Sequence, residues 1–183
     1  MSEDLLKRGL ALENLFFQQR RVELGEQRKK IELMPHTKET LAEVSGIRHS
    51  QVLDKMVELG VSSGVLTSLS ILPVVELAWA EGQLDEKERV EVLAAATKGG
   101  FNEGAIDHAV LALWLKERPS SKVLNAWMYT IAGLREILSQ DELNDLKTEL
   151  TGRARKIIEK MSPKEEAVLK KMEQAFKIWV VNN

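Results

Sequence analysis

Residues 66–93 read LTSLSILPVVELAWAEGQLDEKERVEVL, and most of the fold follows from this stretch. Val65 to Ala80 is the most apolar run of the chain, and it contains Pro73 and one charge, Glu76. A bilayer needs about 20 apolar residues, so this run predicts a buried core helix, which Pro73 either kinks or begins. Gly82 then supplies a helix stop. Asp85 is placed to cap the next helix, with Glu88 three residues on as the reciprocal partner of a capping box. The same turn matches the second half of an EF-hand loop. With Gly82 at the sixth position of that loop, Glu81, Asp85 and Glu88 fall on ligand or near-ligand positions. The first half is missing, because Leu77 and Trp79 stand where the first ligands belong. Glu81, Asp85 and Glu88 are therefore candidate metal residues for a weak calcium or magnesium site completed by other donors, with Asp141 and Asp145 the nearest by pseudo-repeat. In the competing reading Asp85 and Glu88 serve only as caps, which leaves Glu81 without a role.

Helical periodicity extends in both directions, and no window shows sustained apolar–polar alternation, so the fold class is all-α. Downstream, Val123, Leu124, Trp127, Met128, Ile131, Leu134 and Leu138 form one i, i+3/i+4 face. Leu143, Leu146, Leu150 and Ile157 form another, and Val168, Leu169, Met172, Phe176, Trp179 and Val180 a third. Capping boxes recur at Ser139–Glu142 and at Ser162–Glu165, the latter with Pro163 at the first helical position. Upstream, one long helix is predicted from Asp4 to Leu33, stopped by Pro35. It carries Leu10, Phe17, Leu24 and Ile31 at a seven-residue spacing, interleaved with charge. A helix of about thirty residues is roughly 45 Å long, more than a compact domain of this size needs. Its seam is therefore the expected interaction surface for a protein partner or a homo-oligomer. A short hairpin follows, with Thr37 capping 38–45, Gly46 closing it, and a second helix over 49–59. Val61-Ser62-Ser63-Gly64 marks the boundary between an N-terminal unit, 1–60, and a helical core, 61–183.

Composition removes several function classes. The 183 residues are 44% hydrophobic and 30% charged, as in an ordinary globular protein, and the net charge is −2. No global basic field draws the chain to nucleic acid or anionic lipid. With no cysteine, disulfides, thiolate metal sites and cysteine nucleophiles are excluded together. The start, MSEDLLKRGL, is charged and is no signal peptide, so the expected location is cytoplasmic with no membrane span. His36, His49 and His108 lack metal-ligand spacing, and no Ser–His–Asp, phosphate-loop or dinucleotide pattern is present, so no enzyme is predicted.

The string AWAEGQLDEKERVEVL resembles the A-x-A-D-G-x-[ILV]-x-x-x-E signature of the TerB-like tellurite-resistance family. ALENLFFQQR, LTSLSILPVVELAWAEG and MSPKEEAVLKKMEQAF resemble segments of a bacterial subgroup of that family. The resemblance implies a compact multi-helix TerB-like bundle of two pseudo-repeated halves, with the long N-terminal helix and the short hairpin added. It also implies an acidic, metal-binding surface through Glu81, Asp85 and Glu88, and no catalysis. Two departures weaken the metal reading: Glu81 replaces an aspartate, and Ser139-Gln140 replaces Asp-Gly in the second half.

The leading expectation is thus a non-enzymatic interaction or scaffold module of a stress-response kind. The alternative is divalent-metal binding or sensing at the Glu81–Glu88 turn. A third reading takes LAEVSGIRHSQVLDKMVELG, 41–60, as a helix-turn-helix that presents Arg48, His49, Ser50 and Gln51 to a major groove. That helix offers one further cation, Lys55, against Asp54 and Glu58, too little to hold phosphates.

Overall fold

Most helix starts fall where a side chain can take up a free backbone amide. In a computed structural model, which describes residues 2–18 and 22–177, the chain forms α1 (Ser2–Gln18), α2 (Glu23–Glu32), α3 (Lys38–Ser45), α4 (Ser50–Glu58), α5 (Ser63–Ala78), α6 (Glu86–Lys98), α7 (Ile106–Trp114), α8 (Ser121–Arg135), α9 (Gln140–Ile157) and α10 (Pro163–Gln174). No strand occurs among the described residues. Thr37, Ser62, Asp85, Ser139 and Ser162 each accept from the amide three residues on, and full capping boxes form at the last three. Each such cap is worth about 1 kcal/mol, which is why these boundaries could be read from the sequence.

α5 is the centre of the bundle. Every one of its residues except Glu76 is buried, and α1, α2, α3, α7, α8, α9 and α10 all pack on it. Its polar side chains are mostly satisfied within the helix, Thr67 Oγ1 donating to Ser63 O at 2.7 Å and Ser68 Oγ to Gly64 O at 2.8 Å. Pro73 neither starts nor ends the helix. It has no N–H to give the Leu69 carbonyl, and Trp127 Nε1 of α8 donates to that oxygen instead, at 3.0 Å. The buried helix is thereby tied to the centre of α8.

α1 and α2 lie against the helices that follow, α1 on α8 and α5 and α2 on α7 and α5. The predicted long helix is two helices, α1 and α2, that pack on one another, with 19–21 between them outside the described residues. Arg28 of α2 reaches back to Glu13 at 3.3 Å and donates to Asn14 Oδ1 at 2.9 Å. Three residues of the expected seam, Phe17, Leu24 and Ile31, are therefore core; only Leu10, 52% exposed, stays at the surface. The seven-residue spacing marked the inward face of ordinary amphipathic helices. The core likewise begins well before Val65, since Leu5, Leu12, Phe16, Leu41, Val44 and Ile47 belong to the same cluster as Trp114 and Trp127. Across the expected boundary, Ser62 caps α5 and also donates to Glu13 at 3.2 Å. Trp179 and Val180 lie outside the described residues.

Candidate functional site

The acidic turn leaves α5 at Trp79 and enters α6 at Asp85. Gly82 takes φ +90°, a conformation other residues rarely adopt, and this lets the chain reverse. Asp85 and Glu88 face each other's backbone: Glu88 N donates to Asp85 Oδ1 at 2.8 Å, and Asp85 N to Glu88 Oε2 at 3.0 Å. Glu81 points elsewhere, to the start of α10, where it accepts from Ser162 Oγ at 2.5 Å and lies 3.5 Å from Lys164 Nζ. That hydrogen bond first, and the Lys164 ammonium after it, hold the Glu81 carboxyl below its usual range. The expected convergence of Glu81, Asp85 and Glu88 therefore does not occur, because each carboxylate already has a backbone or side-chain partner. Asp141 is exposed in the first turn of α9, and Asp145 lies 3.6 Å from His49 Nε2. Among the described residues no group of three or more His, Asp or Glu is placed to hold a metal ion. The role the sequence left open for Glu81 is filled by its bridge to α10.

The helix-turn-helix candidate is α3 and α4, a hairpin in which α3 packs on α5 and α7 and α4 on α9. His49 is the cap of α4, its Nδ1 accepting from Val52 N at 3.3 Å, while its own amide donates to Glu149 at 3.1 Å. Lys55, the expected phosphate contact, lies between Glu58 at 3.8 Å and Glu142 at 4.0 Å. Asp54, Glu58, Glu142 and Asp145 line the hollow beside α4, so a phosphate backbone there would meet carboxylates.

Two charged residues away from the acidic turn are buried. Asp107 of α7 and Arg153 of α9 form an ion pair at 3.1 Å, Arg153 also donates to Ser45 O, and its guanidinium stacks 3.4 Å above the Phe101 ring. Burial pushes the Arg153 pKa down and Asp107 pushes it back up. Gly46, at φ +68°, allows this packing, since a Cβ there would overlap the guanidinium. The sequence signal was faint: Arg153 follows Leu146 and Leu150 on the inward stripe of α9.

A mainly apolar hollow lies under α1. It has a volume of about 200 Å³, and Leu5, Gly9, Val65, Leu69 and Leu134 form its walls. Leu6 and Leu10, 46% and 52% exposed, stand at its lip, and Glu13 and Ser62 close one end. Leu10 is thus the one seam residue left available to a partner, at a cleft that periodicity alone did not reveal. Compared with family models, with curated proteins and with solved structures, the chain matches none.

Proposed function

We propose that the protein is a non-enzymatic interaction module of the TerB-like class, working in the cytoplasm within a stress-response assembly, and that it holds a partner protein by an apolar side chain seated under α1. The observation that carries this reading is the cleft with Leu6 and Leu10 at its lip. Both leucines stand at a hollow able to take one large apolar side chain, and withdrawing a leucine from water is worth about 2 kcal/mol. The TerB-like string at 78–93 supports the class. No helix of the described residues is long and apolar enough to cross a membrane. No observation on the acidic turn favours the divalent-cation reading over the capping one.

The test places a photo-crosslinking amino acid at position 10 in living cells, with position 33 as the control. Leu33 is 87% exposed and lies off the cleft. A single adduct of defined mass is expected at position 10 and not at 33. The protein identified in it must bind the wild type, and not Leu6→Asp/Leu10→Asp, in a calorimetric titration. Indiscriminate adducts at both positions, or binding unchanged by the double substitution, would overturn the proposal.

A further inference from the structure

α6 sits at the edge of the bundle, leaning on α7 and α9, and an open groove runs between it and the C-terminal end of α9. Two hollows of about 370 and 560 Å³ join there, sharing Glu91, Ala95, Ile157 and Glu159 as walls. One end of the groove is mainly acidic, with Glu81, Glu88 and Glu165 beside a single lysine, Lys160; the other carries Lys98 and Lys156. Lys98, Lys156 and Glu159 make no ion pair among the described residues, and Glu91 has only a 4.0 Å contact with Lys87. Along α6 itself, Glu91, Ala94, Ala95 and Lys98 fall at i, i+3, i+4 and i+7, so they share the stripe that faces the groove.

This arrangement is complementary to itself. We propose that the occupant of the groove is a second copy of the chain, its α6 lying antiparallel to the first about a two-fold axis between Ala94 and Ala95. Antiparallel pairing about that point sets Glu91 opposite Lys98 of the partner subunit, and the two-fold repeats the pair in reverse. The two alanines at the crossing let the helices approach closely. The acidic end of each groove then meets the basic end of the other, and charges left unpaired in the single chain acquire partners. Across the interface the order is α9, the partner's α6, α6, the partner's α9, so each α6 fills the groove of the other. Helices of about 20 Å bury a small interface, which places the association in the micromolar-to-millimolar range.

Sedimentation equilibrium on the full chain, from micromolar to millimolar concentration, reads the result. The wild type should show a reversible monomer–dimer equilibrium that weakens with added salt. Glu91→Lys and Lys98→Glu each place two like-charged pairs across the axis and should weaken the dimer roughly tenfold. The double variant Glu91→Lys/Lys98→Glu restores opposite charges and should regain the wild-type constant, and an equimolar mixture of the two single variants should associate more tightly than either alone. Both residues are exposed, so the fold should tolerate the changes, and the salt dependence of the wild type gives a reading that needs no variant. A wild type monomeric at millimolar concentration, an association indifferent to salt, or a double variant as weak as the singles would overturn the proposal.

Discussion

α5 and α6 are joined by one turn and differ more in burial than any other pair of consecutive helices. In α5 only Glu76 escapes burial; in α6 only Ala96 achieves it. Composition accounts for part of the contrast, since Glu76 is the one charged residue of α5 while α6 carries Glu86, Lys87, Glu88, Arg89, Glu91 and Lys98 beside Val90, Val92, Leu93 and three consecutive alanines. Position accounts for the rest. α5 is enclosed by seven helices, with Trp127 completing its backbone hydrogen bonding at Pro73, whereas α6 packs on α7 and α9 and lines an open groove beside the end of α9. Helix formation and helix burial are thus separate outcomes here: caps at 62 and 85 start both helices, and side-chain polarity and packing together decide how far each is buried.

The sharpest way to break this contrast is to cut equivalent side chains from each helix. Leu69→Ala in α5 should cost about 2–5 kcal/mol, because it opens a cavity at the core. Leu93→Ala in the half-buried α6 should cost about 1 kcal/mol or less, and urea midpoints decide it. A similar loss for both would place α6 in the core after all. Next in size is the buried pair beneath α3. Arg153→Ala strands the Asp107 carboxylate and should cost about 3 kcal/mol, with Arg153→Met/Asp107→Leu recovering most of the loss. A double variant as unstable as the single one would show that the pair contributes more than compensation of buried charge.

A smaller effect sharpens the picture of α5 itself. Burial raises the Glu76 pKa above 4.5, against the opposing pull of Arg118 and Lys171. The folded chain then holds this proton more tightly than the unfolded one, so the contribution of Glu76 to stability falls as pH rises from 4.5 through the raised value. Glu76→Gln should therefore stabilise the protein above that window and leave it unchanged below. A midpoint difference independent of pH would contradict the assignment. At the joint between the two helices the expected effect is nil. Millimolar calcium or magnesium should shift the melting temperature equally in the wild type and in Glu81→Gln/Asp85→Asn/Glu88→Gln, since their carboxylates are used by caps and by Ser162. A shift confined to the wild type would reinstate the metal reading.

The sequence made the helices and their starts legible because both depend on neighbours in the chain. The capping boxes at Asp85, Ser139 and Ser162, the left-handed Gly46 and the buried run at α5 stand as read. What it left open is partnership between distant segments. Nothing near Glu81 announces Ser162, and nothing near Arg153 announces Asp107 or Phe101. The seven-residue seam misled for the same reason: it describes one face of a helix, and Phe17, Leu24 and Ile31 needed the whole bundle to show which way that face turns.

Native-state hydrogen exchange followed amide by amide tests the contrast between α5 and α6 most directly. Amides in the middle of α5 should exchange only through global unfolding, at the free energy given by denaturant. Those of α6 should exchange through local opening at a distinctly lower free energy in dilute protein, and their protection should rise with protein concentration while that of α5 stays fixed. If α6 in dilute protein is as protected as α5, it is not the open edge of the bundle and the account fails.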